Sequence, residues 1–262
     1  MREILAHVPF RGAIRERSVE PYLGLLRSLR TRRRVKGVLF DISSGGGEVV
    51  ASSDLYGALR RLDAVKPVFV SIGALGASGA YLAALGGRRI FAYPESHVGS
   101  IGVIYPHLAV QELVRRLGIS VELLHVGAHK DAFQGYRGLT DEERGKLQAI
   151  AQESYDLFVQ RVADGRHRPV DEIRTLATGE FWTGRRALEL GLVDALGDRE
   201  VALDALARAT GVAVRKAVRV LPPRPFVERL LAGGGGYSSL SGRLREAVED
   251  AVLDLGTGLE GL

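Results

Sequence analysis

Val35-Lys36-Gly37-Val38-Leu39-Phe40-Asp41-Ile42-Ser43 runs directly into Ser44-Gly45-Gly46-Gly47. A short, nearly continuous apolar run ending in glycines has the form of a buried parallel strand entering a tight turn. Downstream, apolar residues recur at helical spacing (Val50, Leu55, Leu59, Leu62) until Lys66-Pro67, and Val68-Phe69-Val70-Ser71-Ile72 reads as the next strand. Ala74 to Leu85 is rich in small residues and helical, and Arg89-Ile90-Phe91-Ala92 is a third strand. Strands alternating with helices predict an α/β fold with a largely parallel sheet and right-handed crossovers.

Further along, Val110 to Leu117 reads as an amphipathic helix and Val121 to Val126 as a strand. Thr140-Asp141-Glu142-Glu143 is a capping box opening a long helix to Val162. Helices are expected near Val170 to Ala177, Gly184 to Glu189 and Val201 to Thr210, with a short extended piece around Leu192 to Gly197. The tail differs in composition. Pro222-Pro223-Arg224-Pro225 is a stiff spacer, Gly233 to Gly236 a hinge, and Leu240 to Leu255 an amphipathic helix. The expected organisation is one domain over 1–211 and a C-terminal extension over 212–262.

The chain has 262 residues, 46% hydrophobic and 26% charged, enough for one α/β domain with a tail. It contains no cysteine, which excludes disulfides, thiolate catalysis and Cys-ligated zinc. The net charge is +5, and the densest basic run is Arg30-Thr31-Arg32-Arg33-Arg34. That run follows a helical pattern and precedes a buried strand, so it reads as a solvated connection. No aromatic stacking set accompanies it, and nucleic acid is not an expected partner. No uncharged apolar stretch reaches the roughly 18 residues a membrane span needs. Charges at Arg2, Glu3, Arg11, Arg15, Glu16 and Arg17 leave no signal-peptide core. As written, the chain is expected in the cytoplasm, with peripheral membrane association left open.

Three segments could carry chemistry. In Gly73-Ala74-Leu75-Gly76-Ala77-Ser78-Gly79-Ala80-Tyr81, one hydroxyl stands among very small side chains at a strand-to-helix turn. Small neighbours admit a substrate carbonyl, and a helix N-terminus offers N–H groups to an oxyanion. A small-residue helix packed tightly on its neighbour has the same composition. The glycines of Ser44-Gly45-Gly46-Gly47 free consecutive N–H groups to face an anion. They lack the Gly-Lys-Ser/Thr of a phosphate loop and the third spaced glycine of a dinucleotide fingerprint. None of the six histidines (His7, His97, His107, His125, His129, His167) carries a catalytic signature. In Gly127-Ala128-His129-Lys130-Asp131-Ala132, a desolvated Lys130 could serve as base, with Asp131 as a cap or a partner orienting the loop.

Taken together, these segments resemble the signal peptide peptidase A family of Ser-Lys peptidases, in the Clp-protease/crotonase superfamily. The resemblance covers roughly Val35 to Gly197. It rests on Asp41-Ile42-Ser43-Ser44-Gly45-Gly46-Gly47, Ala77-Ser78-Gly79-Ala80-Tyr81, Gly99-Ser100-Ile101-Gly102-Val103, Gly127-Ala128-His129-Lys130-Asp131, and Trp182-Thr183-Gly184 with Gly191-Leu192-Val193-Asp194. It implies superhelical ββα repeats and a serine endopeptidase acting through an acyl-enzyme, without metal or cofactor. Ser78 would be the nucleophile and Lys130 its base. N–H groups near Gly46 and of Gly79 would form the oxyanion hole, and Ser100 would position the dyad. The implied substrates are unstructured or membrane-derived peptides, signal-peptide remnants included. The implied assembly is a ring-like homo-oligomer whose site is shared between subunits. Ser44 stands where the family usually has Pro, so a looser oxyanion loop is expected. Ala80 and Gly135-Tyr136-Arg137 also depart from the common pattern. The same fold admits a membrane-scaffold-specific protease, a crotonase-like acyl-CoA enzyme and a non-catalytic relative.

Overall fold

The computed structural model describes residues 3–132 and 134–223. A first compact unit spans Met1–Leu221 and a second begins at Pro222. The spacer is described only to Pro223, and the expected hinge and terminal helix lie outside the described residues.

The sheet is built from β1 (Ile4–Arg11), β2 (Val35–Ser44), β3 (Val68–Ala77), β4 (Arg89–Ala92), β5 (His97–Gly99), β6 (Phe181–Thr183), β7 (Ala195–Leu196) and β8 (Ala217–Arg219). The main order is β6-β5-β3-β2-β1-β8, and β4 pairs with β3 and β7. Every pairing is parallel except β5 with β6. The fold class expected from alternating strands and helices is therefore the one observed.

Helices α1 (Glu16–Thr31), α2 (Val49–Asp63) and α3 (Gly79–Ala84) pack on one face with α5 (Asp141–Arg166). They cover Val8, Phe10, Val38, Phe40, Ile42, Val70 and Ile72. Leu5, Leu39, Phe69 and Phe91 point to the other face, under α8 (Arg199–Thr210). A strand buried on both sides has no polar face to show, which is why Val35 to Ile42 reads as an almost unbroken apolar run.

Local chemistry sets the helix ends. Thr140 accepts from the Glu143 N–H, and the Glu143 carboxylate reaches back to the Thr140 N–H, closing the expected capping box. Asp198 caps α8 and Gly211, at φ 70°, ends it. The remaining helices are α4 (Gln111–Arg116), α6 (Val170–Leu176) and α7 (Gly184–Glu189).

The structure corrects the sequence reading in several places. No strand forms at Val121 to Val126: Leu124 is 92% and Val126 98% exposed, and among the described residues the segment has no neighbouring strand to complete a ladder. Strand β3 continues five residues past Ile72, to Ala77. Ala74 to Ala77 read as the start of a helix, but β5 takes up the pairing at Leu75↔His97, Gly76↔Val98 and Ala77↔Gly99. β1 and β8 were not read as strands. Their pairing, with Val212 buried under the second face, carries the compact unit past the expected boundary at 211.

Helix α3 is held from behind. The Tyr81 side chain is fully buried and its hydroxyl donates to the Leu192 carbonyl at 2.8 Å. Asp194 accepts from the Ile90 N–H at 2.6 Å and pairs with Arg166 at 2.8 Å, so the Leu192-Val193-Asp194 motif is a structural clasp. Tyr81→Phe would leave a buried carbonyl without a donor. It should lower the unfolding free energy by roughly 1–3 kcal/mol, read from the denaturant midpoint at unchanged slope. An unshifted midpoint would show that the hydroxyl holds nothing.

Candidate active site

Ser78 stands between β3 and α3 with φ 51° and ψ −124°, a conformation that costs a non-glycine residue about 1–3 kcal/mol. Among the described residues, three non-glycine residues have positive φ: Ser78, Ser100 and His167. The first two are neighbours in space. The Ser78 N–H donates to the Gly99 carbonyl at 2.8 Å, and the Ser100 N–H donates to the Glu180 carbonyl at 2.7 Å. Strain is thus concentrated where Ser78 is half-buried at the C-terminal edge of the sheet.

The glycine loop lies directly against this residue. A Cβ on Gly46 would stand 2.6 Å from Gly79 N and 2.9 Å from Ser78 Cβ. A Cβ on Gly79 would collide with Ser52 Oγ, itself fixed by donating to the Glu48 carbonyl at 2.8 Å. The loop is also gripped from its other side, since Ile14 N–H donates to Gly46 O and Glu48 N–H to Ile14 O, both at 2.8 Å. In a trans peptide the carbonyl and the following N–H point in opposite directions. With Gly46 O turned to Ile14, the Gly47 N–H faces the Gly79 side.

Gly46 itself supplies closeness more than a donor, because its N–H is already given to Ser44 Oγ at 3.1 Å. This bond also corrects the expectation of a looser loop. Ser44 is buried, and its hydroxyl ties down the turn that Pro would otherwise have stiffened. The N–H groups left beside Ser78 are those of Gly47 and of Gly79, the latter at the first position of α3, where a helix has no internal acceptor.

Lys130 is placed differently. It is exposed, in a turn where its N–H donates to the Gly127 carbonyl at 3.1 Å. The single chain brings Ser78, Ser100, Gly46 and Gly79 together and leaves the Lys130 amine in water. The preceding segment is also exposed and apolar: Ile104 is 87% and Leu108 78% accessible. Asp41, from the quoted strand motif, is buried on the α8 face, paired with His7 at 3.0 Å and Arg11 at 2.7 Å. The imidazole and guanidinium bonds hold its carboxyl below its usual value against the desolvation that would raise it. That trio is a hydrogen-bonded cluster in which Asp41 stands level with Ser71 of β3, seven residues before Ser78.

Sequence reasoning missed the network behind Lys130. Asp131 accepts from Arg137 Nε at 2.8 Å, and Arg137 forks onto both oxygens of buried Glu143 at 2.8 and 2.7 Å. Asp131 reads as a cap or a partner orienting the loop and Glu143 as a capping-box residue, but nothing in the sequence joins them through Arg137. Arg137 holds the Asp131 carboxyl below the ordinary range, and Arg137 with the Thr140 N–H holds Glu143 well below it.

The model of peptidase family S49 matches residues 60–213. The chain belongs to that family, and is by class a serine peptidase. A relative from Synechocystis sp. is 34% identical over 245 residues, 93% of this chain and 88% of that protein. The chloroplastic serine protease SPPA of Arabidopsis thaliana is 32% identical over 199 residues, 76% of this chain and 28% of that protein. Protease 4 of Salmonella typhi is 32% identical over 192 residues, 73% of this chain and 30% of that protein. The chain thus spans under a third of the last two. A solved structure, that of a mutant of the 1510-N membrane-bound stomatin-specific protease, shares the fold with TM-score 0.51 and 13% identity. It covers 85% of this chain and 93% of that one. Among the described residues, no helix is long and apolar enough to cross a membrane.

The two depressed carboxyls fix a sign for pH. Their stabilising contribution is complete above the unfolded values near 4 and is lost as pH falls through the lower folded values. Protection factors for the amides of His129 to Ala132 and Gln134 to Thr140, corrected for the intrinsic exchange rate at each pH, should therefore fall in the native protein as pH drops below about 4. In Arg137→Gln they should be low already at neutral pH. Equal protection in both proteins at every pH would contradict the assignment.

Proposed function

We propose that the chain is a serine endopeptidase in which Ser78 is the nucleophile and Lys130, reaching in from a second copy, is the general base. The observation that carries this reading is the Ser78 turn: a strained hydroxyl residue flanked by two open N–H groups, with glycine backbone pressed against it. Such geometry costs stability and has no packing use, and strain of this kind concentrates at functional positions.

Ser78 Oγ attacks the peptide carbonyl while Lys130 Nζ takes the hydroxyl proton. The carbonyl electrons move to oxygen, and the Gly47 and Gly79 N–H groups stabilise that oxyanion. The C–N bond then breaks as Lys130 returns the proton to the leaving amine. Water, deprotonated by the same amine, opens the acyl-enzyme ester. Ser100 holds the Lys130 ammonium between these steps.

An amine in open water is a cation and cannot take a proton. The base role therefore requires that Lys130 be covered, and the exposed apolar residues from Ile104 to Val126 give a second copy a surface to cover. Burying that segment would also take Lys130 out of water, and a low-dielectric setting favours the neutral amine that a base needs. A ring-like homo-oligomer meets both needs. Substrates are unstructured or membrane-derived peptides, signal-peptide remnants among them, with small or apolar residues near the cut. A closed ring would exclude folded proteins.

Ser78→Ala and Lys130→Ala should each abolish cleavage of an unstructured protein and keep the fold. Co-expressed as a mixed assembly, the two inactive chains should regain activity, because some sites then combine an intact Ser78 with an intact Lys130 from its neighbour. Persistent inactivity in an assembly proven to contain both chains would reject the shared site. A wild-type that takes no fluorophosphonate on Ser78 would reject the nucleophile.

A further inference from the structure

Lys130 combines a free side chain with an immobilised backbone. Its neighbour Asp131 is bonded to Arg137, the Arg137 fork closes on Glu143, and Glu143 is fixed to the first turn of α5 through the Thr140 N–H at 2.9 Å. Arg137 NH1 also donates to the Gly138 carbonyl at 3.0 Å. Ala132, next in sequence, is buried. One guanidinium therefore joins the end of the Lys130 turn to a helix of 26 residues.

We propose that Asp131, Arg137 and Glu143 are positioning residues for the proteolytic base: a clasp within one chain that aims Lys130 at the nucleophile of the next. The proposal rests on the reading of Lys130 as base. Its logic is that a base donated across a boundary cannot be aligned by its own active site until the subunits meet. If the lysine turn were loose, its order would have to be created during every encounter. A planar fork bonding two carboxylates fixes the turn beforehand, and a side chain already held in two directions loses little further freedom. Both carboxylates are largely shielded, with 12% and 3% side-chain exposure, so water competes poorly for the guanidinium. Surface ion pairs elsewhere on the chain, such as Arg115 with Glu112, lack this shielding.

The test compares full-length wild-type, Arg137→Lys, Glu143→Gln and Lys130→Ala on one unstructured peptide. Each protein's assembled mass is measured by light scattering. Lysine keeps the charge of Arg137 and cannot bond both carboxylates at once. Arg137→Lys should assemble normally and keep KM within about twofold, while kcat falls roughly 10²-fold, the scale expected from misplacing a catalytic group by about 1 Å. Glu143→Gln should fall in the same direction. Wild-type kcat in an assembled Arg137→Lys would overturn the clasp. Failure of both variants to assemble would also overturn it, since the network would then be holding the fold. Activity in Lys130→Ala would instead remove the base assignment beneath the proposal, an outcome distinct from either.

Discussion

Gly46 and Gly79 touch backbone to backbone, and everything at the candidate site follows from that approach. A side chain on Gly46 would separate the loop after β2 from the turn after β3, and one on Gly79 would strike Ser52 of α2. The contact is possible only because each partner is held from outside, Gly46 by Ile14 and Ser44, and α3 by the Tyr81 hydroxyl on Leu192. The strain at Ser78 is supported by the sheet, whose central strands are buried on both faces.

Much of this was legible in the residues themselves. The apolar run Val35 to Ile42 could only be a doubly covered strand, and the single hydroxyl among Gly76, Ala77, Gly79 and Ala80 marked the turn that matters. Capping chemistry located α5 because Thr140 and Glu143 satisfy each other locally. What stayed hidden was non-local. β5 and β6 are three residues each, too short for a period to register, and exist because they pair with one another and β5 with β3. The Arg137 fork joins residues whose relation appears only once the chain has reversed between Asp131 and Glu143.

The error at Val121 to Val126 is instructive for the opposite reason. The side chains are apolar and β-branched enough for a strand, but strand formation needs a partner, and the described residues of the single chain provide none. Hydrophobic pattern reports that a segment seeks cover, without saying whether the cover lies in the same molecule. Here the pattern and the exposed Lys130 beside it indicate the same unmet requirement.

β1 lies between β2, which pairs along its whole length, and β8, which pairs at Leu5 to His7. Among the described residues the first strand in sequence is therefore completed by the last. A polypeptide released after residue 211, where composition alone would draw the border, would bare one rim of β1, and with it a row of amides ready to recruit any passing extended chain. The short closing strand is thus a guard rail for the sheet, and shortening the protein from its C-terminal side would trade solubility for size well before it reached Ser78.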